Sequence, residues 1–112
     1  MSPHTAPIRG QVYFVDVPSA GPHYWLVVSN NLRNAAFTNV LTVMLTTTAP
    51  RAPRPSYVAL DKRDKFEGWV ACDGITVLHK QELNTPKGAL SPETMRAIDA
   101  GLAYALGIRF HR

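Results

Sequence analysis

Only one segment of this sequence carries a full set of helix signals, and it comes late. Ser91 is an N-cap residue, Pro92 suits the first helical position, and Gly107 stands where a helix closes in the left-handed conformation. Glu93 adds an acid to the first turn, where the helix dipole favours it. Met95, Ile98, Leu102 and Leu106 recur at helical spacing, which predicts one amphipathic helix with these four on its apolar stripe. The rest of the core has to come from other elements.

Upstream, the apolar runs are strand-length and end at turn residues. Gln11–Val17 is apolar on both alternating sets and reads as a strand covered on both faces. Pro18-Ser19-Ala20-Gly21-Pro22 breaks it, and residues 24–29 (Tyr-Trp-Leu-Val-Val-Ser) return as its antiparallel partner. Residues 30–39 read as a loop with one helical turn around residues 32–36, and residues 40–46 as a third strand rich in β-branched side chains. Pro50, Pro53 and Pro55, with Arg51 and Arg54 between them, make residues 47–55 an extended basic loop. Residues 56–60 resume as a strand, and residues 61–67 alternate charges as a solvated turn does. Residues 68–72 and 75–78 are two further short strands around Asp73-Gly74. The fold class expected is mainly β (α+β), a small, strongly curved antiparallel sheet or barrel with one C-terminal helix on it.

A chain of 112 residues makes one domain. Residues 1–8 lack periodicity and are expected to be a flexible lead-in, with the single domain over residues 9–112. Apolar residues at 46% against 18% charged residues exclude a chain too polar to collapse. Twelve Lys and Arg against eight Asp and Glu give a net charge of +4, which favours phosphate-bearing partners without naming one. The lone Cys72 lies in an apolar run, reads as a small buried hydrophobe and fits a reducing compartment. No apolar stretch approaches bilayer-spanning length and the N-terminus has no signal-peptide pattern, so a cytoplasmic protein without membrane contact is expected.

Several chemistries drop out. His4, His23, His79 and His111 are scattered and Cys72 has no paired cysteine, so no metal site is expected. The phosphate loop of nucleotide-binding proteins, the dinucleotide glycine fingerprint and the hydrolase nucleophile elbow are all missing from the sequence. What remains is His23 where the second strand begins and Thr46, Thr47 and Thr48 where the third ends, flanked by Arg51 and Arg54. A histidine and a hydroxyl run beside two guanidinium groups are suited to a phosphodiester. Trp25 and Trp69, inside apolar strands, are read as core, while Tyr13 and Tyr24 are candidates to stack on an unpaired base.

The order of these segments resembles the MazF/PemK/Kid family of toxins over residues 9–108. Arg9-Gly10-Gln11-Val12-Tyr13-Phe14-Val15-Asp16 resembles the family's opening strand, Leu26-Val27-Val28-Ser29-Asn30 its second, Leu45-Thr46 the end of its third, and Ser56-Tyr57-Val58 its fourth. Cys72-Asp73-x-Ile75, with Lys80 and Leu83 after it, and Gly88-x-Leu90-Ser91-Pro92-Glu93-x-Met95, with Asp99 and Ala105-Leu106-Gly107 after it, are similar to its closing segments.

The resemblance implies an SH3-like barrel, a homodimer and the toxin half of a type II toxin-antitoxin pair. It also implies cleavage of single-stranded RNA, without metal or other cofactor, to 2′,3′-cyclic phosphate and 5′-OH ends. Thr46 falls on the family's catalytic hydroxyl position, and His23 falls where the family carries an arginine, with Tyr24 in place of the usual proline. A histidine changes charge near neutral pH, so catalysis through His23 would be pH-sensitive. RNA contacts are expected from Tyr24, Thr47, Thr48, Arg51, Arg54, Asp73 and Thr76. Gly74 and Thr76 stand where the family often has Gln and Arg, which implies a different cleavage sequence. The cognate antitoxin's acidic tail would lie on the basic loop of residues 47–55. Two other functions compete: a non-enzymatic gyrase inhibitor like the related CcdB branch, whose aromatic-Gly-Ile terminus this chain lacks, and an inactive RNA-binding module.

Overall fold

The structure, a computed structural model, describes residues 5–109. In chain order it comprises β1 (Gln11–Val17), β2 (Gly21–Val27), α1 (Asn31–Ala36), β3 (Asn39–Thr46) and β4 (Tyr57–Ala59). A 3-10 turn (Lys62–Asp64), β5 (Trp69–His79), a second 3-10 turn (Lys80–Glu82), β6 (Gly88–Ala89) and α2 (Pro92–Leu106) complete it. Every pairing is antiparallel, and the strands lie in the order β4-β5-β3-β2-β1-β6. The sheet curls into a half-barrel with α2 packed on one side, the mainly β class expected.

Strand alternation sorts the apolar side chains onto two faces. Val12, Leu26, Val43, Leu45, Val70 and Cys72 meet Leu90 and Ile98 on the α2 side. Tyr13, Val15, Trp25, Val27, Val40, Leu78 and Leu83 form a second cluster on the other side. Tyr13 is therefore core rather than a base-stacking residue; its hydroxyl donates to Gln11 Oε1 at 3.0 Å, and burial pushes its phenol up from the ordinary value. Trp25 is buried as expected, whereas Trp69, opposite Thr46 at the end of the β3–β5 ladder, is only half-buried. Cys72 is fully buried, and burial beside the Asp73 charge pushes its thiol up to about 12, so it stays protonated and inert at neutral pH.

Two strand boundaries differ from the sequence reading. β2 begins at Gly21, so the hairpin turn is only Pro18-Ser19-Ala20; β3 pairs with β2 only from Trp25 onward, which leaves Pro22 where its missing N–H breaks no ladder bond. The two short strands expected around Asp73-Gly74 are one strand, β5. Met44 pairs with Ala71 and Thr42 with Thr76, so β5 bulges against a continuous β3. The excess over β3 is odd, so the alternation reverses across it: Val70 and Cys72 face α2, while Leu78 faces the opposite cluster.

α1 is the helical turn expected, capped by Asn30, whose Oδ1 accepts from Arg33 N at 2.8 Å. In α2, Ser91 caps the start and Gly107 the end, and Met95, Ile98 and Leu102 pack on the sheet. Leu106 is exposed, because the packed face ends with Leu102 and Ala103. Arg9 ties the opening of the chain to this helix: Nε donates to the Val28 carbonyl at 2.9 Å and a terminal nitrogen pairs with Asp99. Of the expected lead-in, residues 1–4 lie outside the described residues, while Pro7 is buried and Ile8 N donates to Gln11 Oε1 at 2.8 Å. His4 and His111 also lie outside them.

The charged stretch 61–67 is a built element rather than a solvated turn. Asp64 is buried at 1% exposure, and its carboxylate accepts from Ser91 N at 2.8 Å, Thr94 Oγ1 at 2.6 Å and Asp61 N at 3.1 Å. Burial alone would raise its pKa, but these hydrogen bonds outweigh burial and hold the carboxyl below its usual value. A folded-state value below the unfolded one, about 3.9, contributes stability that is complete above that pH and lost as pH falls through the folded value. Asp64→Asn is expected to lower unfolding free energy by about 1–3 kcal/mol at pH 7, measured by urea titration. The gap between variant and native chain should shrink as the pH is lowered past that of a free carboxyl; a gap unchanged by acid would assign the loss to packing alone.

Candidate nucleic-acid interface

His23 and Thr46 stand at the same end of the sheet, because β2 starts where the antiparallel β3 finishes. The β2–β3 ladder begins at Trp25 opposite Met44; two residues further along, the same register would set His23 against Thr46. Alternation along β3 directs Thr46 to the Met44 and Trp25 face, and His23 lies on that face too, its ring edge-on to Trp25 at 6.5 Å. His23 Nε2 donates to the Ala20 carbonyl at 2.9 Å, which leaves Nδ1 as the basic nitrogen of the neutral ring. Thr46 Oγ1 accepts from Thr48 N at 3.1 Å, which fixes the hydroxyl at the strand end and leaves its own hydrogen to donate.

On the other side of Thr46 an open cleft of about 590 Å³ lies between the sheet end and the loop after β4. Thr46, Thr47 and Tyr24 line it, together with Lys62, Lys65 and Phe66. His23 does not line it; Thr46 stands at the rim between the two. Tyr24 sits between two other rings, edge-on to Phe14 at 5.1 Å and to Phe66 at 5.2 Å, and Phe14 and Tyr24 are 48% and 40% exposed. Exposed rings of this kind are surfaces for unpaired bases.

The close approach that shapes this corner depends on Gly68. Its φ is +104°, and a Cβ placed there would meet the Thr46 carbonyl oxygen at 2.1 Å and Thr47 Cα at 3.0 Å. No side chain fits, and no other residue adopts this backbone cheaply.

The remaining predicted residues are not gathered at the cleft. Asp73, at the β5 bulge, accepts from Ser56 Oγ at 2.7 Å and lies 3.9 Å from Arg54, whose guanidinium also covers the Tyr57 ring at 5.7 Å. Thr76 Oγ1 donates to the Gly74 carbonyl at 3.0 Å. Thr48 and Arg51 are exposed on the loop between β3 and β4. A second cleft of about 630 Å³ is lined by Tyr13, Lys80 and Pro86, among others; of the candidates named from the sequence it holds only Tyr13, which is buried. Among the described residues, no three His, Cys, Asp or Glu side chains come together as a metal-binding group. Sequence reasoning missed Lys62 and Lys65; the one local signal was the Asp-Lys-Arg-Asp run, an N-cap acid with a second acid at capping-box spacing.

The chain is thus a small β-protein whose curved antiparallel sheet brings a hydroxyl, two lysines and exposed rings together at one strand end. The profile of the PemK-like, MazF-like toxin of type II toxin-antitoxin systems matches residues 8–106, and the chain belongs to this family. It is 45% identical over 103 residues to Endoribonuclease MazF1 of Mycobacterium bovis and to Endoribonuclease MazF4 of Mycobacterium tuberculosis, covering 92% of this chain and 95% of each relative. Among solved structures, a mycobacterial endoribonuclease in complex with its cognate antitoxin superposes with a TM-score of 0.86 at 43% identity, over 95% of this chain and 100% of that one. The MazE-MazF structure (Form-II) from Deinococcus radiodurans, 18% identical, shares the fold with a TM-score of 0.78, over 95% of this chain and 100% of that one.

Gly68→Ala is expected to cost at least about 2 kcal/mol in denaturant titrations, from backbone strain and the clash with the Thr46 carbonyl. Amide exchange should accelerate first at Thr46 and Thr48; an alanine variant of native stability would remove Gly68 from the construction of the corner.

Proposed function

We propose that this chain is the toxin of a type II toxin-antitoxin pair and an endoribonuclease that cuts single-stranded RNA without a metal. The observation that carries the reading is the Thr46 hydroxyl, fixed by the Thr48 N–H at the rim of a lysine-lined cleft with His23 at the same sheet end.

The ribose 2′-oxygen attacks the adjacent phosphorus, the P–O5′ bond breaks, and 2′,3′-cyclic phosphate and 5′-OH ends result. The 2′-OH proton must go to a base and the leaving 5′-oxygen must gain one. His23 Nδ1 is the nitrogen positioned to exchange a proton, and Thr46 donates to a non-bridging phosphate oxygen as charge builds there. Tyr24, with Phe14 and Phe66 around it, stacks a flanking base. Thr47 and Thr48 hydrogen-bond the strand beside the scissile phosphate. Asp73 and Thr76 read bases further along, and Gly74 and Thr76 set a cleavage sequence of their own. Arg51 and Arg54 attract the RNA backbone over the loop between β3 and β4.

An RNA substrate and an inert buried thiol both fit the cytoplasm, and among the described residues no helix is long and apolar enough to cross a membrane. The working form is a homodimer, and the same basic loop receives the acidic segment of a cognate antitoxin. The relative solved with its own antitoxin supports that partnership.

Incubated in EDTA with mixed-sequence single-stranded RNA, the protein is expected to leave cyclic phosphate and 5′-OH ends. Thr46→Ala and His23→Ala should each slow cutting at least about 100-fold. The native rate should vary with pH between about 5.5 and 8.5, and a flat profile would count against proton exchange by His23. Full activity in His23→Ala would move proton transfer to another group, and intact RNA with the native chain would point to a non-enzymatic target or an inert binder. The double variant Arg51→Glu, Arg54→Glu should weaken antitoxin binding at least about tenfold in calorimetry; unchanged affinity would place the antitoxin elsewhere.

A further inference from the structure

The charged loop after β4 sorts its basic side chains. Arg63 is spent on acids: Nε donates to Asp61 Oδ1 at 3.0 Å, and another guanidinium nitrogen lies 3.8 Å from Glu93 at the start of α2. The hydrogen bond from Arg63 holds the Asp61 carboxyl down to about 2, so it remains a charged partner at any ordinary pH. Lys62 and Lys65, on either side, have no ion-pair partner among the described residues and line the cleft that contains Thr46.

The loop is also fastened at both its cap and its base. Asp61 caps the 3-10 turn in a reciprocal capping box with Asp64, and the buried Asp64 carboxylate fastens the turn to Ser91 and Thr94. Lys65 closes the turn in the left-handed conformation, φ 61°, the only described non-glycine residue with a positive φ. That conformation is unfavourable for a lysine and is held by the bonds around it. Its cost is consistent with a lysine kept where its backbone is strained because its charge is needed there.

We infer that Lys62 and Lys65 are phosphate-binding residues of the RNA site, holding the backbone of the strand beside the phosphate at Thr46. This rests on the RNA-cutting reading and extends it to a second wall of the cleft. RNA is favoured over an acidic peptide as occupant because the same cleft carries the Thr46 hydroxyl and the Tyr24 and Phe66 rings, which suit a phosphate and its bases together. Glu67 at the cleft edge supplies the opposing charge that keeps the site from being uniformly basic. The lysines act as binding rather than catalytic groups, so their loss should appear in KM and leave kcat nearly unchanged.

The test uses a fluorescent 2′-O-methyl RNA oligonucleotide of mixed sequence, which binds but is not cut, with the full chain and with Lys62→Gln, Lys65→Gln. The double variant is expected to bind about tenfold more weakly at low salt, and the slope of log affinity against log salt should fall by about 1.4, or 0.7 for each lost phosphate contact on a single strand. Lys62→Arg, Lys65→Arg should restore most of the slope, which a merely structural role would not. An unchanged slope in the Gln variant, with cutting by the native chain intact, would overturn this inference alone. So would an unchanged slope accompanied by weaker antitoxin binding, which would assign the lysines to an acidic peptide. If the native chain neither binds nor cuts RNA, the RNA-cutting reading and this one both fall.

Discussion

The carboxylate of Asp64 is the interaction on which the functional end of this molecule depends. It is buried, it accepts three hydrogen bonds, and two of them come from the first turn of α2. A negative charge there meets the positive end of the helix dipole and takes up the Ser91 N–H, while Ser91 Oγ takes that of Thr94. The same bonds hold the loop after β4 against the helix, and that loop forms one wall of the cleft beside Thr46. Folding and site construction therefore share one group: the bond that starts the helix also places the lysines.

The opposite wall is fixed by strand geometry. Thr46 ends β3, Gly68 crosses close enough to exclude any side chain, and Thr48 folds back to hold the Thr46 hydroxyl. His23 reaches the same end along a neighbouring strand and on the same face as Thr46, outside the cleft. Its imidazole is anchored to the Ala20 carbonyl.

What the sequence made legible was whatever local signals determine. α2 was readable because its N-cap, first-turn proline and C-terminal glycine sit within the helix itself, and β1 to β3 because alternation and β-branching are local. The order of segments carried the family and placed Thr46 and His23 at strand ends. Three features were not readable. Asp73-Gly74 has the composition of a turn, and only the continuous pairing of β3 makes it a bulge. Asp64 reads as a solvated charge because the donors that bury it are 27 and 30 residues away. Lys62 and Lys65 became cleft residues because Asp64 fastened their loop, so the long-range bonds of one carboxylate hid both.

The β5 bulge sets a parity rule on the chain. β3 alternates without interruption, yet β5 must present Val70 and Cys72 to the helix and Leu78 to the opposite cluster, which only an odd excess of residues allows. The segment between Cys72 and Thr76 can therefore lengthen or shorten only by even numbers if both faces keep their apolar sets. Relatives that differ in length there should differ in steps of two, and one that keeps both clusters after an odd change would break the rule. The bulged segment would thus evolve in double strides, its spacing quantised by the sheet that carries it.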